Sequence, residues 1–556
     1  MSMRPSRVEC RAPRAGIALR VGALIAAATL VYLLAVSASE SSAATLQVCP
    51  SGCTYSQVAP AVAAAQSGDT VTVAAGTYQG GFTINTSLTL AGAGARATII
   101  SGGGPVVTIG SGEGTSKLTV SITGVTITGG VTHSSPQYLA LYRKAGVVAA
   151  GGGVEITPDN LKNGSAGTPG ATVTIANSVI TRNSVAPTTL IPSPEGATCP
   201  GGPCPFAAAY GGGIDNAGQL TLTNTTISDN SSVSSLASDG AGGAIENEMG
   251  SLTIVDSTLT ANKTGVLAPN GRFANAGAID VLKGALTIRG SSVTHNSATA
   301  TTAEPDSVVS GAIGGAIHVH PGSSPATISN TSISNNSVTQ TNTGGSANAD
   351  SGALHTDVKV TLSSDVIADN HVRAVSLGQS SADTDGNSGA GQLLAATINN
   401  TRFTGNTVTV SSANGRASAE GGSMIFGPGS ISNSVIGGNH VSAMSPHGTV
   451  FVVGGGIDAG EVPMTLRNTP MSGNTAKATG RSGTAQGGGI ADVTVPNNGP
   501  PGGPLTLEGS KITGNTVSGS ATVKAQGGGV FTTFKFHLTN STISGNTPDD
   551  CSGKGC

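Results

Sequence analysis

The chain has 556 residues, 83 of them Gly, with 10% charged and 3% aromatic side chains, no Trp and a formal charge of −3. So thin a charge lacks the basic footprint with which a protein neutralises a phosphate backbone, and nucleic acid is not an expected partner. The same composition excludes ordinary charged helical surfaces and points to an all-β chain rich in turns.

Five arginines fall in the first twenty residues, followed by the apolar run VGALIAAATLVYLLAVSA and by small residues ending at Ala44. Basic, apolar and small segments in that order describe a secretory signal over residues 1–44, with Ser42 and Ala44 suited to the −3 and −1 positions and Ala38 as another cleavage point. The run is long for a signal, so an uncleaved anchor is the competing reading. No second span follows, and no membrane span is expected once the signal is removed. The expected location is secreted or at the cell surface.

Cys10 precedes the apolar run, which leaves Cys49 with Cys53, Cys199 with Cys204, and Cys551 with Cys556. Export favours three short-range disulfides between these neighbours, although sequence alone does not fix the pairing of six cysteines. The CPSGC and CPGGPC spacings could hold zinc, but no companion Cys or His pair lies nearby.

Residues 45–150 form an entry region. Val58, Val62 and Ala65 give an apolar helical face, Thr54 and Gln57 have capping-box spacing, and Pro60 predicts a kink or a later start. From Gly151 the chain repeats itself. The core reads LTNSTISGN at Leu538 to Asn546 and recurs eleven times, from IANSVITRN onward, at a mean spacing of about 36 residues, the scale of a solenoid. Each copy follows a glycine-led apolar segment such as GGGI, GGAI or SGAL. Apolar residues at two fixed places (Leu222 and Ile227, Ile254 and Leu259, Ile288 and Val293) predict short β segments with inward side chains. Each core closes on Asn: Asn183, Asn230, Asn262, Asn296, Asn336, Asn370, Asn406, Asn439, Asn474, Asn515 and Asn546. Asn tolerates left-handed backbone and bonds to neighbouring chain, so an asparagine ladder at a corner is expected. The remainder of each repeat, rich in Ser, Ala, Asn and Thr, is expected to loop out on one side. The repeats span 151–548, and 549–556 form a Cys-pinned tail.

This pattern resembles the right-handed parallel β-helix, or pectin-lyase-like, superfamily, and GGAI with NSTISGN resembles the repeats of polymorphic outer-membrane proteins and related bacterial surface proteins. The resemblance implies an all-β right-handed parallel β-helix. CTYSQVAPAVAAAQSGDTVTVAAGTY resembles the superfamily's entry segment, which implies a short N-terminal capping helix. It also raises an enzyme reading, since many pectin-lyase-like β-helices act on acidic polysaccharides.

Neighbours in a strand point to opposite faces, so the residue after each inward Ile or Leu is expected to face solvent. In repeat order that slot reads Glu155, Asp215, Glu246, Asp280, His318, His355, Leu394, Ile425, Asp458, Ala491 and Phe531. Two residues on come Glu248, Leu282, His320 and Asp357. In the segment GGAIHVH, His318 and His320 should therefore stand beside His355 and Asp357 of the next coil. Stacked like charges invite a proton, a cation or a cationic ligand, and imidazoles titrate near neutral pH.

Two functions compete. The favoured one is an exported surface or secreted interaction protein without catalysis, glycan-binding or adhesin-like, whose partner is a polysaccharide or cell-surface glycan. The other is a polysaccharide-active enzyme, lyase or hydrolase-like, with Asp280, His318, His355 and Asp357 as catalytic candidates and Glu246, Glu248 and His320 binding ligand. Against it, the NTD, GHG and RIK motifs of the polygalacturonase type are missing. HGTVFVVGGG (His447 to Gly456) echoes a pectin methylesterase segment but has Phe451 where that family has Asp. No cofactor is expected and no metal site is assigned, although the acidic and His column could take a divalent cation.

Overall fold

The computed structural model describes residues 43–134, 147–160, 167–188, 205–236, 239–268, 272–303, 310–378, 383–460, 462–493 and 504–556, with short pieces between 191 and 203. It divides into two units, Met1–Ala44 and Thr45–Cys556, and nearly all described residues belong to the second.

That second unit is a right-handed parallel β-helix. In the coil that starts at Gly314, Ile317–Val319 and Ala326–Ser329 form one wall and Ser332–Ser334 another. Ser337–Asn342 then leaves the body as an outgoing arm and returns as Ala347–Asp350. Each strand pairs in parallel with its counterpart one coil away: Ile317 with Leu354, Ile328 with Leu362, Ile333 with Ile367, Val338 with Val372. Among the described residues, repetition builds sheets of 27, 14 and 21 strands. Because coils stack in register, one sequence position becomes one column along the solenoid, and the β-branched and Leu columns close a continuous dry core that includes Ile317, Ile328 and Ile333.

The segments expected to loop out are strands. Outgoing Ser337–Asn342 and returning Ala347–Asp350 alternate polar with buried residues, and their inward positions make a second core of small residues, including Val338, Ala349, Val372, Ala374, Val408 and Ala419. Ala and Val are small enough for two antiparallel arms to lie face to face, so the polar appearance of these stretches is their solvent half. Each repeat thus contributes to a main body and to a thinner lobe.

The asparagine ladder forms with every rung in place. Asn336 donates its backbone N–H (3.0 Å) and Nδ2 (3.0 Å) to Asn370 Oδ1, and its Nδ2 also donates to the Val293 carbonyl at 2.9 Å. Asp550 accepts the last pair of donors, from Asn546, which gives the tail a structural task. The left-handed backbone is not at the ladder residue. It lies one residue earlier, at Arg182, Asp229, Ala261, His295, Asn335 and Asp369, because the turn must be made before the amide can lie along the stack.

A helix of seven residues, Val58–Ala64, buries Val58, Ala61 and Val62. It begins at Gln57, whose side chain makes no cap, so the capping-box spacing of Thr54 and Gln57 is not used; Pro60 falls in the first turn, where its missing N–H costs nothing. Cys49–Cys53 and Cys551–Cys556 are joined as disulfides. Cys204 and the side chain of Cys199 lie outside the described residues, as does the expected signal apart from residues 43–44. Among the described residues, no helix is long and apolar enough to cross a membrane.

Candidate functional site

The register aligns Glu246 with Asp280, Asp280 with His318, and His318 with His355 on consecutive coils. Parallel strands without slippage turn three sequence-distant segments into one side-chain cluster. His318 Nδ1 lies 3.2 Å from Asp280 Oδ1, and His320 Nε2 lies 3.0 Å from Asp280 Oδ2. On the other side, Asp357 reaches His318 Nε2 at 3.9 Å and His355 Nε2 at 3.6 Å. The rings of His318 and His320 stack with centroids 3.8 Å apart, and those of His318 and His355 meet edge to face at 4.9 Å. The convergence expected of Asp280, His318, His320, His355 and Asp357 is therefore present.

Their exposure is not as expected. Asp280 is 2% exposed, His318 3% and His355 7%, and only the side chains of His320 and Asp357 reach the surface, at 21% and 23%. The cause is the lobe. At the bend where each arm re-enters the body, Ala276, Gly314 and Ser351 take left-handed backbone, and the bend folds over the column. A Cβ placed on Gly314 would stand 3.2 Å from His318 Cβ, so this bend packs against the base of the His318 side chain.

One further coil also differs. Gln392, not Leu394, pairs with His355, since GAGQLL starts its strand at Gly391 with no branched residue at the first inward place. Turned so that its amide nitrogen faces Asp350, Gln392 donates to that carboxylate at 2.7 Å. Asp350, at the end of the returning arm, also accepts from Ser351 Oγ at 2.7 Å and lies 3.7 Å from His355 Nδ1. Asp350 is hidden in the sequence because the arms read as loops, and a carboxylate five residues before a column residue is the available signal.

Electrostatics follow from burial and pairing. Burial pushes the Asp280 carboxyl up, but the His320 charge and contacts from both histidines outweigh it and hold it well below the usual carboxylate range. Contacts from His318 and His355 hold Asp357 low as well. Burial pulls the His355 imidazole down, yet Asp350 and Asp357 carry it to about 9, so it is cationic at neutral pH. His320 is raised too, Asp280 overcoming its desolvation. Glu246 is the opposite case: burial, then the charges of Asp280, Glu248 and Asp215, push it well above the carboxylate range. Glu248 is itself 9% exposed. Higher on the same corner, burial and the nearby Glu420 raise Asp458 to about 8.

Asp280, His318, His320, His355 and Asp357 therefore form a network of charge pairs whose centre, at Asp280, His318 and His355, is buried. An open groove of about 630 Å³ lies elsewhere, at the lobe tip, where Asp383, Asn414, Arg416, His447, Thr449 and Arg481 come from successive coils. Arg416 stacks on the Phe451 ring at 4.9 Å and pairs with Asp383 and Asp385 at 3.7 and 3.9 Å.

No protein-family model matches this chain, and no curated protein matches it in sequence. Among solved structures, one similar chain is a pectin methylesterase in complex with a hexasaccharide: 11% identity, 53% of this chain and 78% of that one covered, TM-score 0.21. Another is the A-module of a mannuronan C-5 epimerase from Azotobacter vinelandii, at 13% identity, 88% and 95% coverage and TM-score 0.28. Neither is a polymorphic outer-membrane protein, and no site residue is carried over from either.

Proposed function

We propose that this chain is an exported β-helix interaction protein that binds glycan without turning it over. The supporting observation is the lobe-tip groove. Arg416 and Arg481 supply donors, Asp383 supplies acceptors, and Asn414 and Thr449 supply both, while the partly exposed Phe451 lies against Arg416 beside the groove. Sugar hydroxyls pair with mixed donors and acceptors of this kind, and a ring under Arg416 adds a flat apolar surface. The catalytic alternative needs Asp280, His318 and His355 within reach of a scissile bond, and a general acid or base must come within hydrogen-bonding distance of the proton it moves. Their burial argues against that.

The test is a calorimetric and product-analysis screen of the purified chain against neutral and uronic-acid oligosaccharides. Binding without new products, weakened about tenfold or more by Arg416→Ala, supports the proposal, a loss of about 1.4 kcal/mol. Turnover that disappears in His318→Ala would overturn it, and so would absence of binding to both classes.

A further inference from the structure

We infer that Asp280, His318 and His320 form a binding site for one divalent first-row transition-metal ion, with Asp357 as the carboxylate that orients His318. One ligand atom from each of the three residues lies within 4.8 Å of the others. The two carboxylate-to-imidazole separations, 3.0 and 3.2 Å, are close to the edges of a small coordination polyhedron. Bonds of about 2.0–2.1 Å place neighbouring ligand atoms roughly 3.0 Å apart in an octahedron and about 3.4 Å apart in a tetrahedron. The second grouping, His318 with His355 and Asp357, has edges of 3.6 and 3.9 Å and is too open to be the first choice.

An independent observation points into the same place. His318 Nδ1 belongs to a residue only 3% exposed and has no hydrogen-bond partner, since its 3.2 Å approach to Asp280 is out of line for one. A buried ring nitrogen left in this way costs free energy, and a metal ion between it and Asp280 would use its lone pair directly. The opposite nitrogen of His318 faces Asp357 Oδ2 at 3.9 Å, an ion-pair separation, and a shift of under ~1 Å on metal binding would make it the bond by which a ligating imidazole donates its other N–H to a carboxylate. Glu246 Oε2, on the residue paired with Asp280 one coil back, is likewise buried without a hydrogen-bond partner, but Glu246 is not among the three residues whose ligand atoms converge. Two imidazoles with one or two carboxylates suit zinc and its first-row neighbours; calcium and magnesium prefer all-oxygen shells. The partly exposed edge of His320 gives the ion a way in.

The ion would join two coils directly, through Asp280 and His318, and a third through Asp357. Its task is then to clamp the stack at the base of the lobe, which does not depend on the glycan-binding proposal. The test uses the full chain, freed of metal with chelator, titrated with Zn²⁺ in chelator competition and with Co²⁺ by visible absorption. One equivalent is expected, with imidazole-type Co²⁺ bands. His320→Ala should weaken binding about 100-fold or more, and Asp357→Asn roughly 10- to 100-fold, as loss of an orienting carboxylate does. His371→Ala, remote from the site, should leave affinity unchanged. Because His320 lies at the surface edge, its variant should keep the wild-type circular dichroism. No stoichiometric uptake by the wild type, or equal affinity in a folded His320→Ala, would overturn the assignment.

Discussion

Asp365 offers the sharpest test of how the corners are held. It occupies a column otherwise filled by hydroxyls: Ser178, Thr225, Ser257, Ser291 and Thr331 before it, Thr401, Ser434, Thr469 and Ser510 after. A typical member accepts the N–H of the equivalent residue one coil back and donates to a carbonyl two residues earlier, as Thr401 does to Asp365 N and Asn399 O. Asp365 accepts twice instead, from Thr331 N–H at 2.9 Å and Ser363 N–H at 2.7 Å. Burial outweighs those two bonds and raises the carboxyl from 3.8 to about 6.

The sign follows from linkage. Below the ordinary carboxylate value both folded and unfolded chains hold the proton, and the site costs nothing. As pH rises towards 6 the unfolded chain ionises first and stability falls, and above 6 the loss is complete. Two units at 1.36 kcal/mol each give about 3 kcal/mol. Asp365→Thr removes that loss and restores the hydroxyl pattern, but leaves Ser363 N–H without its acceptor, at about 1 kcal/mol. The variant should thus be about 1 kcal/mol less stable than wild type at pH 3 and about 2 kcal/mol more stable at pH 8. Urea unfolding followed by circular dichroism across that range measures the difference. A difference that does not change with pH, or a variant still weaker at pH 8, would refute the reasoning.

Other substitutions probe the ladder and the upper acid pair. Asn370→Ala strips the acceptor from two Asn336 donors and the donor from the Ile333 carbonyl, all buried. It should cost about 2–4 kcal/mol in urea unfolding. Asn546→Ala, at the 9% exposed last rung, should cost clearly less. Asp458, raised to about 8, contributes stability that is lost as pH climbs from the ordinary carboxylate value through 8. Asp458→Asn should flatten the decline of the urea midpoint between pH 6 and 9, and an unchanged slope would count against a buried acid there. Gly315→Ala should lower the midpoint, because a Cβ at that position runs into the Gly352 carbonyl of the next coil.

Much of the fold was legible because a stacked coil converts periodicity into geometry. The Ile, Leu and Val columns, the ladder Asn and the glycine bend each recur at one place per repeat, and each does one physical thing. The cluster around His318 was legible for the same reason, since the spacing from Ile317 and Leu354 sets which residues stack. The arms were not. Ser337–Asn342 and Thr407–Ser412 alternate with period two, but their inward residues are Val, Gln, Asn and Ser, too small or too polar to stand out against a Ser- and Thr-rich background. With the arms unplaced, nothing revealed that the bend at Gly314 would close over His318 or that Asp350 would face His355. The register of Gln392 was lost because Gly391 gives no apolar mark at the inward position.

The closed column sets a problem that the fold alone does not answer. Later coils fill the same slot with Ile425, Ala491 and Phe531, so the solenoid accepts apolar side chains there. Buried charges cost several kcal/mol each in lost hydration, and replacing a buried ion cluster by packed apolar groups is often neutral or stabilising. Glu246, Asp280, His318 and His355 therefore gain nothing for folding over the apolar residues found in the later coils. Asp280 and His320 balance each other, as do Asp357 and His355, but pairing leaves His318 Nδ1 and Glu246 Oε2 without partners. A cation seated between Asp280, His318 and His320 uses the first of these atoms. It also restores to the buried carboxylates the ligand that water supplied before folding. On this account metal removal should loosen the three coils from Asp280 to Asp357 first, and amide exchange there should quicken while that at the distant Asn474 and Asn515 rungs stays unchanged.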